Sequence, residues 1–354
     1  MSFERWHIQG RAFHFGRHGL GQEESGVSFP SDSLFAALIA RLAAVQGAPA
    51  VPSWIEPFIK KDPPFVLSST FPRAGRVYFF PRPMLGAGSA ADDGTVTVKK
   101  LKKIGYVSQG IFEKLLSGVP LAALYNESQL LQDGSLLFDD AEAADLPADV
   151  RSGNSPVWQI ERRPRVTIDR LRSSSTIYHT GRTVFGEDCG LWFAVQWLTA
   201  DQAYKDQVSS LLYDLGDAGL GGERSSGFGQ ASLSAAGEFD LPQEKGMPWI
   251  SLSRFLPAED EAQCLLHPAA VYAFDRVSGW IDSPNSRRQR RRTLRMVREG
   301  SVLGPLTGTA PGQVVDVQPD YEGCQPLGHA VWRSGLALSV SCSGLQEGGA
   351  DERI

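Results

Sequence analysis

The stretch GLGGERSSGFGQ, residues 219–230, sets five glycines around one acid, one arginine and two serines, after a helical segment and before a short apolar strand. Glycine in a folded chain costs backbone entropy, so such a concentration marks positive φ angles or the close approach of another backbone. The order helix, loop, strand is what constrains the fold. Dinucleotide and Walker fingerprints both need strand, loop, helix, and the stretch has no G-K-[ST] end. Both are therefore excluded. What remains is a backbone-rich turn with Arg224 as its charge and Ser225 and Ser226 as neutral donors, suited to phosphates or bases, or else a tight connection with no ligand.

The flanking sequence predicts the frame that holds this turn. RWHIQGRAFHFG alternates as a strand, and FPSDSLFAALIARLAAVQG reads as a helix. Ser31 or Asp32 is placed to cap it, Leu34, Leu38, Ile39 and Leu42 recur at spacings of three and four, and Gly47 is the stop. PFVLSSTFPRAGRVYFFPRPM is strand material broken by prolines, suited to an edge or an irregular crossing. KKIGYVSQGIFEKLLSG predicts a strand leading into a short helix, and residues 121–156 read as an insertion of weak order. The segment RPRVTIDRLRSSSTIYHTGRTVFGEDCGLWFAVQWL predicts a long hairpin followed by an aromatic strand. The hairpin's first arm is too polar to be buried on both faces and should project. TADQAYKDQVSSLLYDLGDAG is a second amphipathic helix, with Tyr204, Val208, Leu211, Leu212 and Leu215 on one side, and FGQASLSA is a closing strand. The order strand, helix, strands, helix, strand is that of a ferredoxin-like sheet with an inserted hairpin.

A chain of 354 residues predicts two domains. The first is residues 1–240, carrying the hairpin at about 163–186 and the glycine turn at 219–229. The second is a smaller α+β module over 245–345, followed by a flexible tail, 346–354. With 42% hydrophobic and 21% charged residues the composition is that of a globular protein. No signal-peptide pattern or membrane-length apolar run is present, which predicts a cytoplasmic location. Cys189, Cys264, Cys324 and Cys342 form no C-x-x-C pair and read as reduced thiols. The net charge of −5 is unusual for a nucleic-acid binder, yet basic residues gather locally in KKLKK (99–103), ERRPRVTIDRLR (161–172) and RRQRRRTLRMVR (287–298). In the last of these, Leu294 and Met296 alternate with Thr293 and Arg295, as in a half-buried strand holding arginines outward, a geometry suited to phosphates. Acids gather in the loops at 86–95 and 139–149. Asp92–Asp93 and Asp139–Asp140 lack the strand-end placement of a two-metal centre, so no metal or cofactor is expected. His14 and His18 are the candidates for a general base in a metal-independent ribonuclease, but no motif pairs either with a second acid or base.

Six stretches, FPSDSLFAAL, SSTFP, VTIDR, GLGGERSSGFGQ, GWIDS and EGSV, occur in that order along the whole chain. Together they resemble the repeat-associated mysterious protein (RAMP) superfamily of CRISPR systems, and within it the Csm-type subunit that binds the 5′ handle of the guide RNA in type III-A effector complexes. The resemblance implies an α+β fold of two ferredoxin-like (RRM-like) modules with a projecting β-hairpin thumb and a glycine-rich loop. It implies no catalysis by this subunit and no cofactor. Its implied partners are the guide RNA handle, target RNA at the start of the guide duplex, the large polymerase-type subunit and the repeated backbone subunit. By the same resemblance the RNA-binding residues are Gly219, Gly221, Gly222, Arg224, Ser225, Ser226, Gly227 and Gly229 of the loop, Ser31 and Asp32, and Arg165, Asp169, Arg170 and Arg172 of the thumb. The competing readings are a repeat-processing endoribonuclease using His14 or His18, and a scaffold that never touches RNA.

Overall fold

The computed structural model describes residues 1–16, 24–85, 98–169, 174–281, 289–306 and 308–344; of Asp169 and Ser174 it describes the backbone alone. His18, Arg170, Arg172, the acidic stretch 86–95, Arg287 and Arg288, and the tail 346–354 lie outside the described residues. The fold is α+β. Strand β1 (Ser2–Gly10) leads through β2 (Ala12–Phe13) to helix α1 (Ser31–Gln46) and α2 (Ala50–Ile59), then to strands β3 (Phe65–Leu67), β4 (Phe71–Ala74) and β5 (Val77–Pro81). Short elements follow: α3 (Val98–Lys103), β6 (Tyr106–Ser108), α4 (Gln109–Leu116), α5 (Leu121–Leu124), β7 (Leu130–Leu131), β8 (Leu136–Leu137) and α6 (Ala148–Arg151). The hairpin β9 (Trp158–Asp169) and β10 (Ser174–Phe185) precedes β11 (Cys189–Trp197), helix α7 (Gln202–Ala218) and β12 (Ala231–Asp240).

The main sheet runs β12-β1-β11-β4-β5-β6-β8-β7, with β3 also on β11. Its first four strands pair antiparallel throughout. Leu34, Leu38 and Leu42 of α1 and Val208, Leu211, Leu212 and Leu215 of α7 are all buried in the core against this sheet, as the helical spacing predicts. Pro72 lies inside the sheet, not at an edge. It faces Leu191 of β11, whereas β5 pairs only with Arg73 and Ala74, so the missing proline amide is not needed by the ladder. The expected weak order of 121–156 is corrected too: Leu131, Leu136, Leu137, Leu146 and Val150 are buried in the main core. There β8 extends the sheet by pairing parallel with β6.

The C-terminal part departs furthest from expectation. It is built from β13 (Trp249–Ser251), β14 (Phe274–Val277), β15 (Trp280–Ile281), β16 (Gln289–Arg290), β17 (Leu294–Val297), β18 (Val302–Leu303), β19 (Val314–Asp316), β20 (Trp332–Ser334) and β21 (Ser339–Ser341). These form sheets of two or three strands. Among the described residues beyond Asp240 there is no α-helix, only a 3-10 turn at Glu259–Leu265. A second ferredoxin-like module, which needs two helices, is therefore not what this region forms. Its core is only partly its own: Trp249, Phe255, Val297 and Leu303 form a small separate cluster, but Ile250, Leu252, Val302, Leu336, Leu338 and Val340 belong to the same buried cluster as the main sheet.

A polar joint crosses that shared core at the start of α1. The helix begins after Pro30, with no side-chain cap. Ser31 and Asp32 are 3% and 0% exposed, so neither caps the helix nor faces solvent. Asp32 pairs with Arg254 at 3.4 Å and with Arg333 at 3.6 Å. The Ser31 amide donates to Ser69 Oγ (2.9 Å), Ser69 Oγ donates to Glu299, and the Arg254 amide donates to Ser31 Oγ (3.0 Å). Burial pushes the Arg254 guanidinium down, but Asp32, Glu299 and Asp275 together hold it above its ordinary value. Three of the family-like stretches, FPSDSLFAAL, SSTFP and EGSV, thus meet inside the protein. The expectation that Ser31 and Asp32 contact RNA is corrected accordingly, because their polar groups are bound internally.

One sheet residue makes stability acid-sensitive. His7 Nε2 lies 2.9 Å from the Tyr78 hydroxyl, and burial, reinforced by Arg73 and Arg5, pushes its pKa from 6.5 down to about 4. The unfolded chain then binds more protons between those values, so this contribution to stability is complete above about pH 6.5 and is lost as pH falls toward 4. His7→Gln is expected to flatten the profile of Tm against pH in that window. An unaltered profile would assign the acid sensitivity to other groups.

Candidate nucleic-acid interface

Helix α7 starts at Asp201, whose carboxylate accepts from the amides of Ala203 (2.9 Å) and Tyr204 (3.3 Å). It ends at Gly219 with φ +85°, and the turn then runs back to β12. Two of its glycines serve the protein's own backbone. At Gly221, φ +86°, a Cβ would sit 2.5 Å from the carbonyl oxygen of His14. At Gly229, φ +85°, the carbonyl of Leu220 occupies the same space. Hydrogen bonds from Gly222 to the His14 carbonyl (2.9 Å), from Gly229 to Ala12 (2.8 Å) and from Leu220 to Gly229 (2.8 Å) stitch the turn to the end of β2. Gly219 and Gly229 are buried accordingly.

The outer half of the turn is different. Glu223 is left-handed, with φ +57°, and Arg224–Ser226 form one 3-10 turn closed by Gly227 at φ +85°. Gly222, Arg224, Ser225 and Gly227 are exposed, and nothing lies within 4 Å of where a Gly227 Cβ would be. Among the described residues, the amides of Glu223, Arg224 and Ser225 meet no acceptor, while those of Ser226, Gly227 and Phe228 are bonded within the turn. Three successive free amides beside a guanidinium and a serine hydroxyl form a concave donor set of the kind that binds anionic oxygen. Ser226 is half-buried and its hydroxyl donates to the Glu223 carboxylate (3.2 Å), which removes it from the donor set expected of it.

The hairpin rises beside this turn. Its twelve pairs run from Trp158–Phe185 at the base to Asp169–Ser174, and β10 also pairs with β2 through Thr183–Phe13 and Val184–Ala12. On one face, Arg165 and Arg182 stand over the buried ring of Phe228, 5.3 Å and 6.0 Å from its centroid. The glycine turn and the hairpin base are thereby locked together, with Arg162 and Arg163 exposed just above. On the other face Val166 lies opposite Ile177, and with Ile168 these are 55–68% exposed. This face has no core to cover it, as the polar first arm predicts. The structure thus unites Arg224, Ser225, Gly227 and Arg165. It places Asp169 about four residues farther out along the arm, with the same strand between.

His14, the candidate general base, is 7% exposed, and its Nδ1 donates to the Gly181 carbonyl (2.7 Å). No carboxylate touches it among the described residues, so it holds the hairpin base to β2. Residues that the sequence reading passed over are Phe228 and Arg182, whose pairing only the register of the hairpin reveals. No group of three or more His, Cys, Asp or Glu side chains suited to a metal exists among the described residues. Likewise no described helix is long and apolar enough to cross a membrane. The four cysteines form no disulfide with one another, and burial pushes Cys189 up to about 12 and Cys264 up to about 11, as inert thiols should be.

Residues 244–342 match the profile of the CRISPR Csm4 C-terminal domain. The CRISPR system Cms protein Csm4 of Mycobacterium tuberculosis is 28% identical over 324 residues, covering 89% of this chain and 93% of the relative. That of Thermococcus onnurineus is 22% identical over 281 residues, covering 77% and 81%. The fold is shared with the crystal structure of the Csm3–Csm4 subcomplex in the type III-A CRISPR-Cas interference complex, at a TM-score of 0.61 and 16% identity over 96% of this chain and 99% of that one. A Csm1–Csm4 cassette in complex with cA4 gives 0.59 and 18%, over 98% and 100%. The chain is thus similar to proteins of CRISPR systems, and its α+β frame carries a basic arm beside a donor-rich turn. Its residues 244–342 match the Csm4 C-terminal domain family, and the Csm4 proteins are similar to it over most of its length.

Proposed function

We propose that this chain is the subunit of a type III-A interference complex that holds the repeat-derived 5′ handle of the guide RNA and joins the large polymerase-type subunit to the backbone subunits in antiviral defence. The observation that carries the reading is the free amide run Glu223–Ser225 with exposed Arg224 and Ser225, set under the arginines of the hairpin base. Single-stranded RNA is recognised through phosphates, base edges and 2′-hydroxyls, which this donor set suits. The arm, including Asp169, Arg170 and Arg172, is read as a thumb crossing the start of the guide–target duplex, and its exposed Val166, Ile168 and Ile177 suit contact with unstacked bases. The antiparallel order β12-β1-β11-β4 with α1 and α7 supports a ferredoxin-like first module. The partners are the neighbours seen with its relatives, a Csm3 in one complex and a Csm1 in another. The subunit is not a nuclease in this reading, since buried His14 has no catalytic partner among the described residues. It works as a soluble cytoplasmic protein.

Arg224→Ala is expected to weaken handle binding by about 1.5–3 kcal/mol, the range for a hydrogen bond to a charged group. The salt slope should also become shallower by roughly 0.7 if a phosphate is its partner. The comparison is guide RNA with its handle against the same RNA with the handle replaced, by fluorescence anisotropy. Equal affinity of parent and variant for both RNAs would reject the reading.

A further inference from the structure

The C-terminal part carries a second basic ribbon, independent of the glycine turn. Strand β14 pairs with β17 and β15 with β16, and between them the Arg291 amide donates to the Gly279 carbonyl (3.0 Å), so the four short strands make one two-stranded ribbon. In its register Arg276 lies directly opposite Arg295. Both are exposed, and among the described residues neither has an acidic partner. The acid of the ribbon, Asp275, alternates to the other face, where it pairs with Arg254 (3.2 Å) and Arg298 (3.4 Å). Like charges directly opposite on a sheet are destabilising, so this chain of net charge −5 keeps an unfavourable pair on a solvent face. Exposed aromatic rings flank it: Phe274, 47% exposed, one same-face step from Arg276, and Trp280, 54% exposed, under the guanidinium of Arg290 at 5.1 Å.

We propose that this ribbon is a second RNA-binding surface, in which Arg276 and Arg295 clamp backbone phosphate of a single strand while Trp280 and Phe274 offer rings to its bases. Cations alternating with exposed rings are the arrangement that binds single strands without reading their sequence. The opposed arginines find in a bridging phosphate the counter-charge that the described residues do not supply. The surface extends the RNA-binding reading but does not depend on the glycine turn, and the two fail separately. Arg224→Ala should affect only handle-bearing RNA, whereas ribbon variants should affect any single strand.

The test uses the full chain and a labelled uridine oligomer lacking the handle, in an anisotropy titration over salt. Arg276→Glu with Arg295→Glu is expected to weaken binding at least tenfold and to lower the salt slope by roughly 0.7, for the one bridging phosphate no longer neutralised. Trp280→Ala should weaken it about fivefold or more with the slope unchanged, as removal of one stacked base does. Arg276→Glu alone should bind more weakly and yet melt at a higher temperature, because it turns a like-charge pair into an ion pair. Should the double reversal impair folding, Arg276→Gln with Arg295→Gln carries the same expectation for affinity. Parent-like affinity of a folded ribbon variant overturns the proposal. Loss of a co-purifying protein subunit with RNA affinity unchanged also overturns it, and assigns the ribbon to an acidic protein surface.

Discussion

Asp32→Ala is expected to lower the unfolding free energy by about 3–5 kcal/mol, the cost of breaking a buried ion pair by removing one partner. Asp32 is fully buried, and the side chains of Arg254 and Arg333 are only 12% and 13% exposed. Without the carboxylate two guanidinium groups face each other in the core. Arginine cannot relieve this by losing its proton. Asp32→Asn keeps the shape but not the charge and should lose nearly as much, which separates electrostatics from packing. Denaturant unfolding measures both. A loss under about 1 kcal/mol, the level of a surface pair, would mean that water reaches the joint.

Gly221→Ala is the second large effect, with an expected loss of about 2–5 kcal/mol. Positive φ costs a side-chain-bearing residue on the order of 1–2 kcal/mol, and overpacking adds roughly 1–3. The new Cβ would lie 2.5 Å from the His14 carbonyl and 3.0 Å from the Phe15 ring. Gly227→Ala is the control: its φ of +85° is nearly the same, but nothing lies within 4 Å, so only the conformational cost should appear. The difference between the two variants, measured in thermal unfolding without RNA, isolates the close backbone approach. Equal losses would show that the turn can shift away from β2. A side chain at Gly221 therefore cannot probe RNA contact cleanly, and Arg224 is the better probe.

How much of this was legible beforehand depended on how far each element reaches along the chain. Helices α1 and α7 were readable because their leucines repeat at helical spacing over four turns. The hairpin was readable because its first arm carries too few apolar residues to be buried on both faces. The C-terminal strands, two to four residues long, are too short for any period to emerge, and a second α+β module was expected where sheets alone form. Asp32 looked like a cap because its local setting is that of a cap. Its actual partners, Arg254 and Arg333, lie 222 and 301 residues away, a separation that no local pattern encodes. The glycine turn was found at once, yet the division of labour within it was not. Which glycines yield to His14 and Leu220, and which face outward, is decided by β2 and the hairpin base.

The shared core has a consequence for how this protein can be divided. Residues 244–342 form a unit of descent, matched as such by a family profile. They are not a unit of folding, because Ile250, Leu252, Val302, Leu338 and Val340 are buried in the same cluster as the main sheet and the buried Arg333 takes its counter-charge from Asp32 of α1. A fragment cut at residue 244 would carry a bare apolar flank and, at Arg333, an orphaned cation. Heredity and mechanics draw their borders in different places in this chain.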